Sequence, residues 1–98
     1  MIDTNLKYDD GKTRMGLIHT GLALPLMAIG EVLTYGAKKY KANSWQGLDN
    51  ARERYTDALY RHLNAYHRGE QIDPESGLLH LAHAAVNLLF LLYFQLKV

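Results

Sequence analysis

The sequence predicts an all-α domain of three main helices, and three observations lead there. Apolar residues recur at helical spacing over Leu26–Tyr40, Asn50–Gly69 and Gly77–Gln95. No strand-like alternation lasts more than a few residues, and glycine, proline and asparagine collect between the periodic stretches. Ninety-eight residues make a single domain spanning 1–98, near the lower limit at which a chain buries enough surface to be stable alone. The expected fold is therefore a small helical bundle completed by oligomerisation, as a dimer or tetramer.

Residues 1–16 mix both charges and are punctuated by glycine, which reads as an extended arm and a turn. Lys7, Lys12 and Arg14 are either solvated or reach back over a site that holds an anion. The first residues are polar and lack the apolar run of a signal peptide, so a cytoplasmic location is expected.

The next stretch is apolar but broken by Gly16, Gly21 and Pro25, and a cleaner helix follows from Leu26 to Tyr40. Proline is tolerated in a first turn, which places Pro25 near the helix start. Leu26, Ile29, Leu33 and Ala37 mark one inner face, widened by Met27, Val32 and Tyr35. Glu31 is the one acid of the run, and it is either exposed or paired within a site. Lys38, Lys39 and Lys41 suit the negative C-terminal end of the helix. A loop follows with Asn43, Trp45 and Gln46; its tryptophan either plugs the core or stacks on a nucleobase.

The helix over Asn50–Gly69 is expected to be capped by Asp49 or Asn50 and stopped by Gly69. Its inner face reads Ala51, Tyr55, Ala58/Leu59, His62 and Ala65/Tyr66. Glu53, Asp57 and Arg61 form a second stripe, either an exposed ion-pair ladder or, through the two acids, a face turned to a cation. Next comes the turn Asp73-Pro74-Glu75-Ser76-Gly77, in which Ser76 is placed to cap the last helix.

That last helix carries His80, His83 and Asn87 as the polar groups of its otherwise apolar first half. Spacings of three and seven residues put all three on one face. Such a stripe can grip a divalent metal or a phosphate, with Asp73 and Glu75 adding carboxylate oxygens, or it can hydrogen-bond to neighbours inside a core. The helix approaches the length of a membrane span, but its polar stripe argues against a lipid-facing position.

Composition excludes other classes. A net charge of +1 argues against a binder of nucleic-acid polymers that works by neutralising phosphates. The absence of cysteine removes disulfides, zinc thiolate sites and cysteine nucleophiles.

Three blocks, KYDDGKTRM at 7–15, EVLTYGAKKYKANSW at 31–45 and YRHLNAYHRGEQIDPESGLLHLAHAAVNLLFLL at 60–92, carry a resemblance that covers most of the chain. They resemble the phage and bacterial dATP/dGTP diphosphohydrolases, relatives of the MazG-like all-α nucleotide pyrophosphohydrolases. The resemblance implies an oligomeric all-α enzyme that uses Mg²⁺ or Mn²⁺ to split a purine deoxynucleoside triphosphate into monophosphate and pyrophosphate. On it, Glu31, Asp57, Asp73 and Glu75 become candidate catalytic carboxylates. His62, His80 and His83, with Asp73 and Glu75, become candidate metal ligands. Lys12, Lys38, Lys39 and Arg61 would hold the triphosphate, and Asn43, Trp45 and Asn87 the rest of the nucleotide. The MazG pattern of two acidic pairs is altered: Met27, Ala28 and Glu31 stand where the first is expected, and His80-Leu81-Ala82-His83 where the second is. A histidine-rich set suits Mn²⁺ better than Mg²⁺. Two other readings stay open: a module that sequesters nucleotides without cutting them, and a purely structural oligomer.

Overall fold

The computed structural model describes residues 8–97. Lys7 and the rest of the first seven residues of the expected arm fall outside that range. Four α-helices follow in order: α1 (Gly16–Gly21), α2 (Ala23–Lys39), α3 (Ala51–His67) and α4 (His80–Leu96), with a 3₁₀ turn at Ser44–Gly47. The described residues contain no strand; one isolated bridge joins Ile72 and Leu79. The chain is all-α.

The apolar stretch after residue 16, expected to be broken before Leu26, is already helical from Gly16. A break at Leu22 separates α1 from α2. α2 begins at Ala23 rather than Leu26 and so holds Pro25 in its first turn, where a missing N–H costs nothing. α3 ends in the way Gly69 suggested. Gly69 adopts φ +95°, its N–H donates to the Tyr66 carbonyl, and the Glu70 N–H donates to the Ala65 carbonyl, which satisfies carbonyls that the helix end leaves open.

Two expected caps do not form. Asn50 precedes α3 with φ +56° and makes no side-chain capping bond. α4 starts at His80, not Gly77, and Leu79 stands in the cap position without a side-chain bond. The reason lies in the turn before it. Gly77 takes φ +74° and donates to the Asp73 carbonyl at 2.8 Å, Asp73 donates to the Leu78 carbonyl at 2.8 Å, and the His80 N–H is claimed by the Gln71 carbonyl at 2.8 Å. The 71–80 segment thus folds back on itself, and Ser76 serves that fold instead of the helix.

α4 packs along α3 and, less extensively, against α2. The apolar centre is Val32 with Ala82 and Val86, flanked by Ala28, Ile29, Leu78 and Phe90. α2 therefore turns inward only part of the face its periodicity suggested: Val32 is buried and Leu26, Ile29 and Tyr35 are half-buried, while Leu33 is 41% and Met27 66% exposed. Along α4, Leu81, Leu88, Leu89, Leu92 and Leu96 are exposed. The Cα radius of gyration is 17.6 Å, with extents of 62 × 32 × 25 Å. A compact domain of this length has a radius of about 13 Å, so the single chain is elongated and leaves apolar helix surface uncovered. No helix among the described residues is long and apolar enough to cross a membrane.

Candidate functional site

A cleft of about 1180 Å³ opens between α2, the 43–48 segment, α3 and α4. It gathers residues far apart in sequence: Lys39 from α2, Asn43 and Trp45 from the loop, Arg61 and His62 from α3, Asp73 and Glu75 from the turn, and His80, His83 and Asn87 from α4. Ten of the candidate residues thus line one cavity. Glu31 and Lys38 line a separate, shallower depression with Met27 and Thr34. Asp57 and Glu53 are exposed and line neither. Lys12 is exposed in a turn whose N–H donates to the Asp9 carbonyl at 3.0 Å. The expected stripe of Glu53, Asp57 and Arg61 is split, for only Arg61 points into the cleft.

Three imidazoles form the floor. The Nδ1 atoms of His62 and His80 lie 2.8 Å apart, and the His62 ring stacks on that of His83 with centroids 4.5 Å apart and planes within 7°. His80 Nε2 meets the Glu70 carboxylate at 2.7 Å. His83 Nε2 lies 2.7 Å from Ser76 Oγ, which in turn donates to Asp73 Oδ2 at 3.0 Å and accepts from the Leu78 N–H at 3.1 Å. His80 and His83 are buried, and every buried side-chain nitrogen and oxygen among the described residues has a partner. The stripe on α4 is thus both things weighed from sequence: a satisfied polar core and the wall of a cavity.

Serine, histidine and aspartate meet here without forming a hydrolytic triad. Asp73 Oδ2 approaches His83 at 3.5 Å on the same Nε2 that faces Ser76. A triad needs the carboxylate on the far ring nitrogen, orienting the base. Ser76 instead spends its proton on Asp73 and organises the turn.

The electrostatics follow from this packing. Burial, then the neighbouring His83 and His80 rings, push the His62 pKa down to about 4, because each disfavours a second proton. Burial also lowers His83, against the pull of Asp73. Burial raises Asp73, but bonds from Ser76 and the Glu75 N–H outweigh it and leave the carboxyl low. The Lys39 ammonium is held by Glu75, an ion pair that raises the lysine and lowers the glutamate. Tyr35 adds a hydroxyl 3.5 Å from the same carboxylate.

Trp45 is half-buried and stacks on Phe90, centroids 4.1 Å apart and planes within 13°, while Tyr93 meets it edge-on at 4.8 Å. The Tyr55 hydroxyl donates to its carbonyl at 3.0 Å. The ring is thus packed against α4 while it lines the cleft. Asn87 donates one amide hydrogen to the His83 carbonyl at 2.8 Å, which leaves its oxygen and its second N–H uncommitted.

Most of the expected metal ligands are engaged by neighbours, although His62 Nε2 takes no partner among the described residues. Both ring nitrogens of His80 are engaged, Ser76 takes His83 Nε2, and Lys39 takes Glu75. Among the described residues no three histidine or carboxylate groups converge in a way that could hold a metal ion. As arranged, this set does not fit a resident divalent ion.

Sequence reasoning missed Glu70 and undervalued Ser76. Glu70 is a lone acid in a loop with no spacing relation to His80; only the fold-back of the 71–80 segment brings them together. Ser76 carried a signal, its position before a helix, but that signal pointed to a cap.

Fold and site together define a small all-α domain whose cleft combines histidines, cations and an aromatic wall. The sequence profile of the family described as "dATP/dGTP diphosphohydrolase, N-terminal" matches residues 3–98, and the chain belongs to that family. It is also similar to a dATP/dGTP diphosphohydrolase of Salmonella phage PMBT28, 37% identical over 90 residues, covering 92% of this chain and 29% of the relative. The chain therefore spans less than a third of that relative's length. No solved structure matches it.

Proposed function

We propose that the cleft binds a purine deoxynucleoside triphosphate and that the chain acts in splitting it into monophosphate and pyrophosphate. The observation that carries this reading is the convergence of Lys39, Arg61, Asn43 and Trp45 with the histidine cluster on one cavity. Its volume of about 1180 Å³ slightly exceeds the roughly 300–1,000 Å³ usual for small-molecule sites. A triphosphate brings about four negative charges, which Lys39 and Arg61 offset at short range. Incoming phosphate oxygens compete with Glu75 for Lys39, and the freed carboxylate then faces the cleft.

The divalent ion enters as part of the substrate, as Mg²⁺ or Mn²⁺ carried on the triphosphate. In the reaction a water oxygen bonds to the α-phosphorus, the bond to the bridging oxygen breaks, and pyrophosphate leaves with the electron pair. The chain's own contribution is to hold the phosphates, exclude bulk water behind Trp45 and Phe90, and present the histidine floor. We place the protein in the cytoplasm, as a dimer or tetramer, acting on free nucleotides rather than on a nucleic-acid polymer.

A second reading is favoured by one observation: Glu31 and Asp57 lie away from the cleft, and Asp73 and Glu75 are engaged by neighbours. On that reading the chain sequesters nucleotide without cutting it. Purified protein incubated with dATP or dGTP and Mn²⁺ or Mg²⁺ separates the two. Monophosphate plus pyrophosphate, abolished by chelator, supports hydrolysis. Intact nucleotide with binding measured by calorimetry supports sequestration, and absence of binding rejects both.

A further inference from the structure

Glu70, His80 and His62 form a chain of hydrogen bonds that ends in the cleft. Glu70 Oε1 lies 2.7 Å from His80 Nε2, and His80 Nδ1 lies 2.8 Å from His62 Nδ1. Each link constrains the next. An ionised carboxylate can only accept, so the hydrogen of a neutral His80 sits on Nε2. His80 Nδ1 is then a lone pair and can only accept from His62. The hydrogen of His62 is thereby placed on Nδ1, and its Nε2 is left bare. His62 lines the cleft, and its Nε2 takes no partner among the described residues. The state of one ring nitrogen is set by the bond the other makes, and here that influence runs through two rings from a half-exposed carboxylate.

We propose that Glu70 is a positioning residue: acting through His80, it holds His62 in the Nδ1–H tautomer, so that an unprotonated Nε2 faces the cleft and accepts a hydrogen bond from an O–H group. This deepens the nucleotide reading and rests on it for the identity of the donor, which is either a deoxyribose hydroxyl or the water that attacks phosphorus. The role differs from that of a phosphate donor. A bare imidazole nitrogen repels phosphate oxygens and attracts hydroxyls.

Histidine ¹⁵N resonances of the whole chain, recorded at pH 8 without ligand, test the relay directly. The expected result is an Nε2–H tautomer for His80 and an imine-type Nε2 for His62. Glu70→Leu should mix the two His62 tautomers, while Glu70→Gln, which keeps an acceptor oxygen, should restore the wild-type pattern at least in part. An Nε2–H on His62 in the wild type, or unchanged resonances in Glu70→Leu, overturns the proposal. Binding and turnover of dATP and 2′,3′-dideoxy-ATP then identify the donor. If it is the sugar hydroxyl, Glu70→Leu loses roughly fivefold in affinity for dATP and little for the dideoxy analogue, the size of one neutral hydrogen bond. If it is water, turnover falls by at least that factor with affinity unchanged. No change in either overturns the acceptor role. A cleft that binds neither nucleotide removes the nucleotide reading and the acceptor role with it, and the relay itself is then decided by the resonances.

Discussion

Acidification should destabilise the fold through His62, and the effect can be worked from the structure. The folded-state pKa is about 4 against an ordinary value of 6.5. Below pH 6.5 the unfolded chain takes up a proton at this ring while the folded chain does not. The unfolded state then binds more protons, so stability falls as pH falls. The contribution is fully present above pH 6.5, is lost progressively down to about pH 4 and is constant below that. Complete transfer of such a shift into stability gives roughly 3 kcal/mol at about 1.36 kcal/mol per pH unit. His62 is only half-buried, so solvent screening reduces the expectation to about 1–2 kcal/mol. Asp73 and Glu75, whose folded-state pKa values are depressed, lose stability in the same direction at lower pH, and a difference measurement is needed. Urea unfolding of the wild type and His62→Gln at pH 7.5, 6, 5 and 4 isolates the imidazole. The wild type should lose about 1–2 kcal/mol more than the variant over that span. Parallel curves would refute the claim that packing against His80 and His83 keeps His62 unprotonated.

Four further outcomes are expected. Trp45→Ala should cost about 3 kcal/mol in denaturant unfolding, since it removes the ring stacked on Phe90; a loss of nucleotide binding at full stability would show that the ring serves the ligand instead of the core. Val86→Ala, at a position 3% exposed beside Val32 and Ala82, should cost about 1–2 kcal/mol by the same method. Lys39→Met should weaken dATP binding about tenfold in calorimetry while leaving the melting temperature within a few degrees, because its ion pair with Glu75 lies at the surface. Light scattering at micromolar concentration should give a dimer or larger species, as the leucines along α4 need a cover; a monodisperse monomer would contradict it.

How much was legible in the sequence depends on the range of the interaction. The three long helices, Pro25 in a first turn and the stop at Gly69 follow from neighbours within a few residues, where steric and hydrogen-bonding preferences act directly. The facing of α2 is legible only in part. Leu33 and Val32 are both apolar, and only the position of α4 decides which is buried. The His80, His83 and Asn87 stripe was visible as a period, and the family resemblance was carried by motifs that lie along the chain in order.

What lies across the fold was decided by tertiary structure alone. Asp57 and Lys39 looked equally placed on their helices, yet one faces solvent and the other the cleft, because packing of α2 and α3 on α4 fixes each helix's rotation. Ser76 carried the chemistry of a cap and became the organiser of a turn, since Gly77 at φ +74° bends the chain before α4 can begin. Glu70 reaches His80 only through the fold-back between Ile72 and Leu79, a contact over ten residues that no local preference encodes. Local physics determined which helices form; the closure of the 71–80 segment and the rotation of each helix about its axis decided which side chains meet, because both depend on partners that a linear pattern does not place.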